Sequence, residues 1–109
     1  MDDLTRYVFN HYPQYLTRAE LFAHRTFQLR QKGRTAETFL ERERREWGID
    51  EATVRALLDQ GVEPFMLAAR DRVLRDHAGE ITLNRCSRCG ALAATPKAKQ
   101  CLSCGHDWH

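Results

Sequence analysis

Apolar residues in the first 79 positions recur at three- and four-residue steps between short polar or glycine stops, which predicts a string of helices. Thr17-Arg18-Ala19-Glu20 has the spacing of a capping box, with Leu16 and Leu21 placed as a hydrophobic staple and Gly33 as a left-handed stop. A helix is therefore expected from about Arg18 to Lys32. Asp50 opens another, with Ile49 and Val54 at staple spacing and Val54, Leu57 and Leu58 forming a short apolar stripe before Gly61. A further start places Glu63 at the cap and Pro64 at the first helical position, where its missing N–H costs nothing. From there Phe65, Met66, Ala69, Val73 and Leu74 continue the period towards Gly79. Another helical run lies between Thr35 and Trp47. At the start, Leu4, Val8 and Tyr12 fit helical spacing while Tyr7, Val8 and Phe9 favour a strand; the reading adopted is a helix ended by Pro13.

The pattern changes after Gly79. Glu80-Ile81-Thr82-Leu83-Asn84 alternates as a strand does, and Gly90 to Pro96 is apolar and then turn-like, so a β-hairpin is expected across the first cysteine pair. The predicted fold is mainly α: a helical domain of four to five helices over residues 1–79, then a C-terminal β-hairpin zinc ribbon over residues 80–109.

Within that tail, Cys86-Ser87-Arg88-Cys89-Gly90 and Cys101-Leu102-Ser103-Cys104-Gly105 share one internal spacing. Two residues between cysteines let a single tight turn aim both sulfurs at one point, and its N–H groups can bond the first thiolate. The glycine after each pair suits a left-handed backbone. Four sulfurs close a tetrahedron around one zinc ion and leave no position for water, which describes a structural site and not a catalytic one. About thirty residues bury too little surface to fold alone, so metal binding and folding of the tail are expected to be one event.

Other chemistries fit less well. Iron in a rubredoxin-like site uses the same knuckles but a longer, aromatic-rich intervening segment. A thiol–disulfide exchanger places one Cys-x-x-Cys at the start of a helix. His106 and His109 follow Cys104 closely, and with four thiolates present they are read as neighbours of the site, not ligands. Trp108 is expected to pack over the ribbon or against the helices.

The remaining candidates take ordinary readings. Glu41–Arg45 and Arg42–Glu46 are opposite-charge pairs four residues apart, the mark of a solvated helix face. Tyr7, Phe9, Tyr12 and Tyr15 are of a type that stacks nucleobases, but a small helical domain needs its aromatics for burial. His11, His24 and His77 are scattered singly, and no phosphate-binding glycine loop or nucleophile elbow occurs.

Net charge is +2, with 29% charged and 42% hydrophobic residues. Thirteen cations face thirteen anions up to Gly79, so the excess falls on Arg85, Arg88, Lys97 and Lys99 against Glu80 and Asp107. Four thiolates on a divalent ion carry two negative charges, which brings the metal-bound chain near neutral. No 18-residue apolar run and no signal-peptide pattern occur, so a cytoplasmic protein without a membrane span is expected, its thiols reduced.

The string from Ala98-Lys99-Gln100 through the second knuckle, with the first knuckle twelve residues upstream of Cys101, resembles the short bacterial zinc-ribbon module. The stretch from Asn84 to His109, ending Cys-Gly-His-Asp-Trp-His, also resembles the end of small bacterial proteins of unassigned function. The ribbon resemblance implies four-thiolate zinc on Cys86, Cys89, Cys101 and Cys104 and a platform for macromolecular contact; it implies nothing about the helices. The expected function is a non-enzymatic binding protein, with Arg85, Arg88, Lys97 and Lys99 as contact residues. Near-neutral charge favours a protein partner over nucleic acid. A metalloenzyme or redox protein using the four-cysteine site is one alternative. A subunit of an obligate assembly, needed to cover surplus Phe and Tyr, is the other.

Overall fold

The computed structural model describes residues 2–33 and 36–108. Five helices follow in order: α1 (Asp3–His11), α2 (Arg18–Lys32), α3 (Glu37–Trp47), α4 (Glu51–Asp59) and α5 (Val62–Asp76), with a 3-10 turn at Pro13–Tyr15 after α1.

The opening segment is helical because Asp2 caps it, its carboxylate accepting from the Thr5 N–H at 2.7 Å. Around α2 the capping box forms in both directions: Thr17 Oγ1 accepts from Glu20 N at 3.1 Å, and Glu20 Oε1 accepts from Thr17 N at 2.8 Å. That Glu20 carboxylate also pairs with Arg72 of α5, so one buried acid joins the start of α2 to the far helix. Gly33 and Gly48 close α2 and α3 in the left-handed conformation. Thr35, the expected lower bound of the third run, lies outside the described residues; its upper bound at Trp47 holds.

The start of α5 differs from expectation. It begins at Val62 with Gly61 as cap, so Glu63 and Pro64 sit inside the first turn. No N–H in that turn has an intrahelical acceptor, and proline at the third helical position therefore loses no bond. Gly61 has φ 100°, and a side chain there would meet Pro64 Cδ at 3.2 Å, so the chain turns into α5 one stop earlier. The helix ends at Asp76, three residues short of Gly79.

Val8 and Phe9 of α1, Phe22 and Ala23 of α2, Val54 of α4 and the Phe65, Met66, Ala69, Val73 stripe of α5 meet in one cluster, with Leu16 and Ile49 from the connections. Helix α3 stands outside it, burying Leu40 and laying Trp47 against Phe22. Tyr7, Phe9, Tyr12, Phe22 and Phe65 are all buried. Tyr15 and Phe27 are half-buried, and Phe39 is exposed.

No strand occurs among the described residues of the tail, and the expected β-hairpin reduces to isolated antiparallel bridges at Arg85–Leu92 and Gln100–Asp107. The reason lies in where the backbone donors of the expected strand go. Thr82 N donates to Tyr12 Oη at 2.9 Å and Asn84 N to Tyr7 Oη at 3.3 Å, so α1 and the residue that ends it take the bonds that a ladder would need. Tyr7 Oη donates in return to Thr82 O, and His11 Nε2 donates to Ala94 O at 3.0 Å. Ile81 packs beside the helical core. Beyond this attachment the tail extends outward: the radius of gyration is 16.3 Å, against about 13 Å for a compact chain of this length.

Candidate metal centre

The two cysteine pairs fold into matching turns. Cys86 N donates to Ala91 O and Gly90 N to Cys86 O, both at 2.8 Å. In the second turn Cys101 N donates to His106 O at 2.8 Å and Gly105 N to Cys101 O at 2.9 Å. Gly90 and Gly105 have φ 77° and 76°, so the left-handed residue that reverses each turn is the glycine that follows each pair. The same residue pattern, repeated, has produced the same backbone twice.

The turns face each other through their sulfurs. Cys86 Sγ lies 3.7 Å from Cys104 Sγ, and Cys89 Sγ lies 3.5 Å from Cys101 Sγ. All four Sγ atoms fall within 4.8 Å of one another. Zinc–sulfur bonds of about 2.3 Å give a tetrahedron with edges of about 3.8 Å, so this spacing fits one four-coordinate ion. Cys86 and Cys101, the first member of each pair, are buried, while Cys89 and Cys104 face solvent. The cluster can hold a metal ion.

The backbone prepares the inner sulfurs to be thiolates. Burial works to raise the Cys86 thiol, but the N–H groups of Cys89 and Arg88 outweigh it and leave it below its ordinary value. Arg88 N approaches Cys86 Sγ at 3.3 Å. The Cys104 N–H, helped by Cys89 and Ser103, brings Cys101 down to about 6. At Cys89 the Ala91 N–H acts downward, yet the sulfurs of Cys101 and Cys104 prevail and push it up to about 12. Cys89 is thus opposed as a thiolate by its sulfur neighbours, a conflict that a divalent cation among them would remove.

Around the cluster, Ala93 is buried and Leu102, at the tip of the second turn, is 81% exposed. His106 stays beside the sulfurs without joining them: its ring contacts Trp108, and its Nε2 lies 3.5 Å from Ser87 Oγ. His109, the other histidine weighed as a neighbour, lies outside the described residues. Trp108 stays with the tail, its ring against His106 and its backbone N–H donating to Lys99 O at 2.9 Å. Of the two expected positions for Trp108 the first is found, and the docking of the tail falls to Tyr7, Tyr12 and His11 instead. Tyr7 and Tyr12 were legible only as core candidates and His11 only as a scattered histidine, because nothing in their spacing reports what their polar atoms will reach.

Arg85, Arg88, Lys97 and Lys99 are all exposed. Arg85 donates to Gly90 O at 3.4 Å, and none of the four forms an ion pair among the described residues. Asn84 Nδ2 donates to Thr95 O at 3.0 Å and Ala98 O at 2.8 Å, which pins the turn carrying Lys97 beside Arg85. No family model, curated protein or solved structure matches the chain. None of the described helices is long and apolar enough to cross a membrane.

Proposed function

We propose that the protein is a non-enzymatic binding protein whose tail is a zinc-ribbon module, with zinc held by Cys86, Cys89, Cys101 and Cys104 in a structural role. The observation that carries this reading is the closed set of four sulfurs at tetrahedral spacing, which leaves no coordination position for substrate or water. Zinc is preferred to iron on the short connection between the knuckles, which brings no aromatic core to the metal. The zinc holds the tail in shape, and the tail presents Arg85, Arg88, Lys97 and Lys99 around the knuckles.

The partner proposed is a protein with an acidic surface. In the helical part Arg25, Arg30, Arg45, Arg55, Arg70, Arg72 and Arg75 each pair with a carboxylate, whereas the four tail cations have none among the described residues. Cations left without carboxylates are available to a partner. Nucleic acid would use the same side chains, but four phosphate contacts give a log–log salt slope of at most about 4, too little for tight binding at physiological salt.

The test has two parts. Protein purified without chelator should contain one zinc per chain, and a red iron spectrum or substoichiometric zinc would overturn the metal assignment. Tagged protein should retain a protein partner after nuclease treatment and lose it when Arg88 and Lys97 are changed to Glu. A partner lost to nuclease instead would assign the surface to nucleic acid.

A further inference from the structure

The tail is built twice. One shift along the chain carries Cys86 onto Cys101 and Cys89 onto Cys104, and the backbone bonds follow it. Cys86 N to Ala91 O becomes Cys101 N to His106 O, both at 2.8 Å, and Ala93 N to Asn84 O at 2.7 Å becomes Trp108 N to Lys99 O at 2.9 Å. The Arg85–Leu92 bridge becomes Gln100–Asp107, and Gly90 at φ 77° becomes Gly105 at φ 76°. Each half is therefore a control for the other, because a side chain that differs between two identical turns is not what makes the turn.

The tips differ. Ser87 and Arg88 form the first, Leu102 and Ser103 the second. Serine at the position equivalent to Leu102 shows that the turn needs no apolar side chain there. Leu102 is nonetheless 81% exposed, against 39% for Leu83 and 36% for Phe39. An aliphatic side chain held in water forgoes the free energy of burial, and this one gives its own half nothing in return. At the other tip Arg88 forms no ion pair among the described residues. Cys89 Sγ lies 3.5 Å from Cys101 Sγ, and Arg88 adjoins the one as Leu102 adjoins the other, so their Cα atoms stand at most about 17 Å apart. A partner footprint of about 800 Å² covers both.

We propose that Leu102 is the apolar anchor of the tail's contact surface, seated among the apolar side chains of an acidic amphipathic helix of the partner while Arg88 meets that helix's carboxylates. This rests on the acidic-partner reading above and adds the feature that a purely electrostatic contact lacks. An acidic amphipathic helix supplies both halves of the match in one element, with apolar residues at three- and four-residue steps for the leucine and flanking carboxylates for the cation. A phosphate backbone would engage Arg88 and leave Leu102 in water. Anchor and rim do different work in such a contact: the buried apolar group carries affinity, and the charges carry approach and orientation.

Fluorescence anisotropy on the full-length, zinc-loaded protein tests this with a labelled peptide of about eighteen residues, Leu and Glu set at amphipathic helical spacing. Two further peptides carry Gln in place of every Leu or of every Glu. The Leu–Glu peptide should bind with Kd of about 100 µM or tighter, and both others about tenfold or more weakly. Leu102→Ser should weaken the Leu–Glu peptide about tenfold at every salt concentration, with zinc content unchanged because Ser87 already occupies the equivalent place, and Leu102→Met should retain binding. Arg88→Gln should weaken it at low salt and approach the parent protein as salt rises. Should Leu102→Ser lose zinc, the Gln-for-Leu peptide on the unaltered protein reads the same contact. Binding that depends on Arg88 and is unchanged in Leu102→Ser would overturn the anchor and leave the acidic-partner reading standing, whereas no binding of the Leu–Glu peptide up to about 1 mM would overturn both. Leu102-dependent binding to phosphatidylserine vesicles in preference to the peptide, or Leu102-dependent self-association in sedimentation, would overturn the proposed occupant.

Discussion

In the helical part eleven buried side chains meet in one apolar cluster, whereas between Arg85 and Trp108 the buried residues are Cys86, Ala93 and Cys101. The helices would hold each other with no metal present, because each turn of α1, α2 and α5 adds apolar area to the same interior. The tail has no such interior. Its two knuckles are closed by backbone bonds at 2.8–2.9 Å, and they meet through the four sulfurs and a Ser87–His106 contact at 3.5 Å. The same difference touches charge: Arg25, Arg30, Arg55 and Arg72 of the helical part find carboxylates, while the tail cations stand around the four sulfurs. One region is thus held by buried area and the other gathers four sulfurs that could hold a metal ion, with Tyr7, Tyr12 and His11 joining the two.

The sharpest way to break the comparison is Cys101→Ala. Zinc content should fall from one per chain to near none and the tail should lose its structure, while far-ultraviolet circular dichroism keeps most of its helical signal. Loss of all helicity would show that the tail is part of the helical core.

The converse is Phe65→Ala, which empties a position 1% exposed at the centre of the cluster. The helical transition should lose about 3–5 kcal/mol in chemical denaturation. Cobalt substituted at the four sulfurs should keep its charge-transfer bands, because the knuckles take nothing from Phe65.

A smaller effect is expected at the junction. Changing Tyr7 and Tyr12 to Phe removes the hydroxyls that serve Thr82 and Asn84, at a cost of about 1 kcal/mol each. Hydrogen exchange at the Thr82 and Asn84 amides should accelerate while that of the α5 amides does not.

The smallest effect separates the regions by pH. Burial against Phe9 holds the His24 imidazole below its ordinary value of 6.5, and its Nε2 has no hydrogen-bond partner. Below that value the unfolded chain binds a proton that the folded chain refuses, so helical stability is full above about pH 6.5 and declines as pH falls towards the depressed folded value. Denaturant midpoints at pH 7.5 and 5.5 should differ in the parent protein and differ less in His24→Phe. An unchanged difference would assign the pH dependence to other groups.

Local signals were legible wherever they depend on near neighbours in the chain. The Thr17–Glu20 box, the stop at Gly33 and the cysteine turns closed by Gly90 and Gly105 all involve partners within a few residues. The sequence misplaced the start of α5, since a Glu-Pro pair reads as a helix opening unless the left-handed conformation of Gly61 is known. It also promised a hairpin, because alternation in Glu80–Asn84 says that a strand is possible and not who takes its N–H groups.

Four cysteines at one repeated spacing, each pair followed by glycine, made the candidate metal site legible by themselves, because knuckle geometry is local. Tertiary structure alone decided that the hydroxyls of Tyr7 and Tyr12 meet the backbone at Thr82 and Asn84, seventy or more residues away. Contacts over such separations depend on how whole helices cross, and no spacing along the chain encodes that crossing.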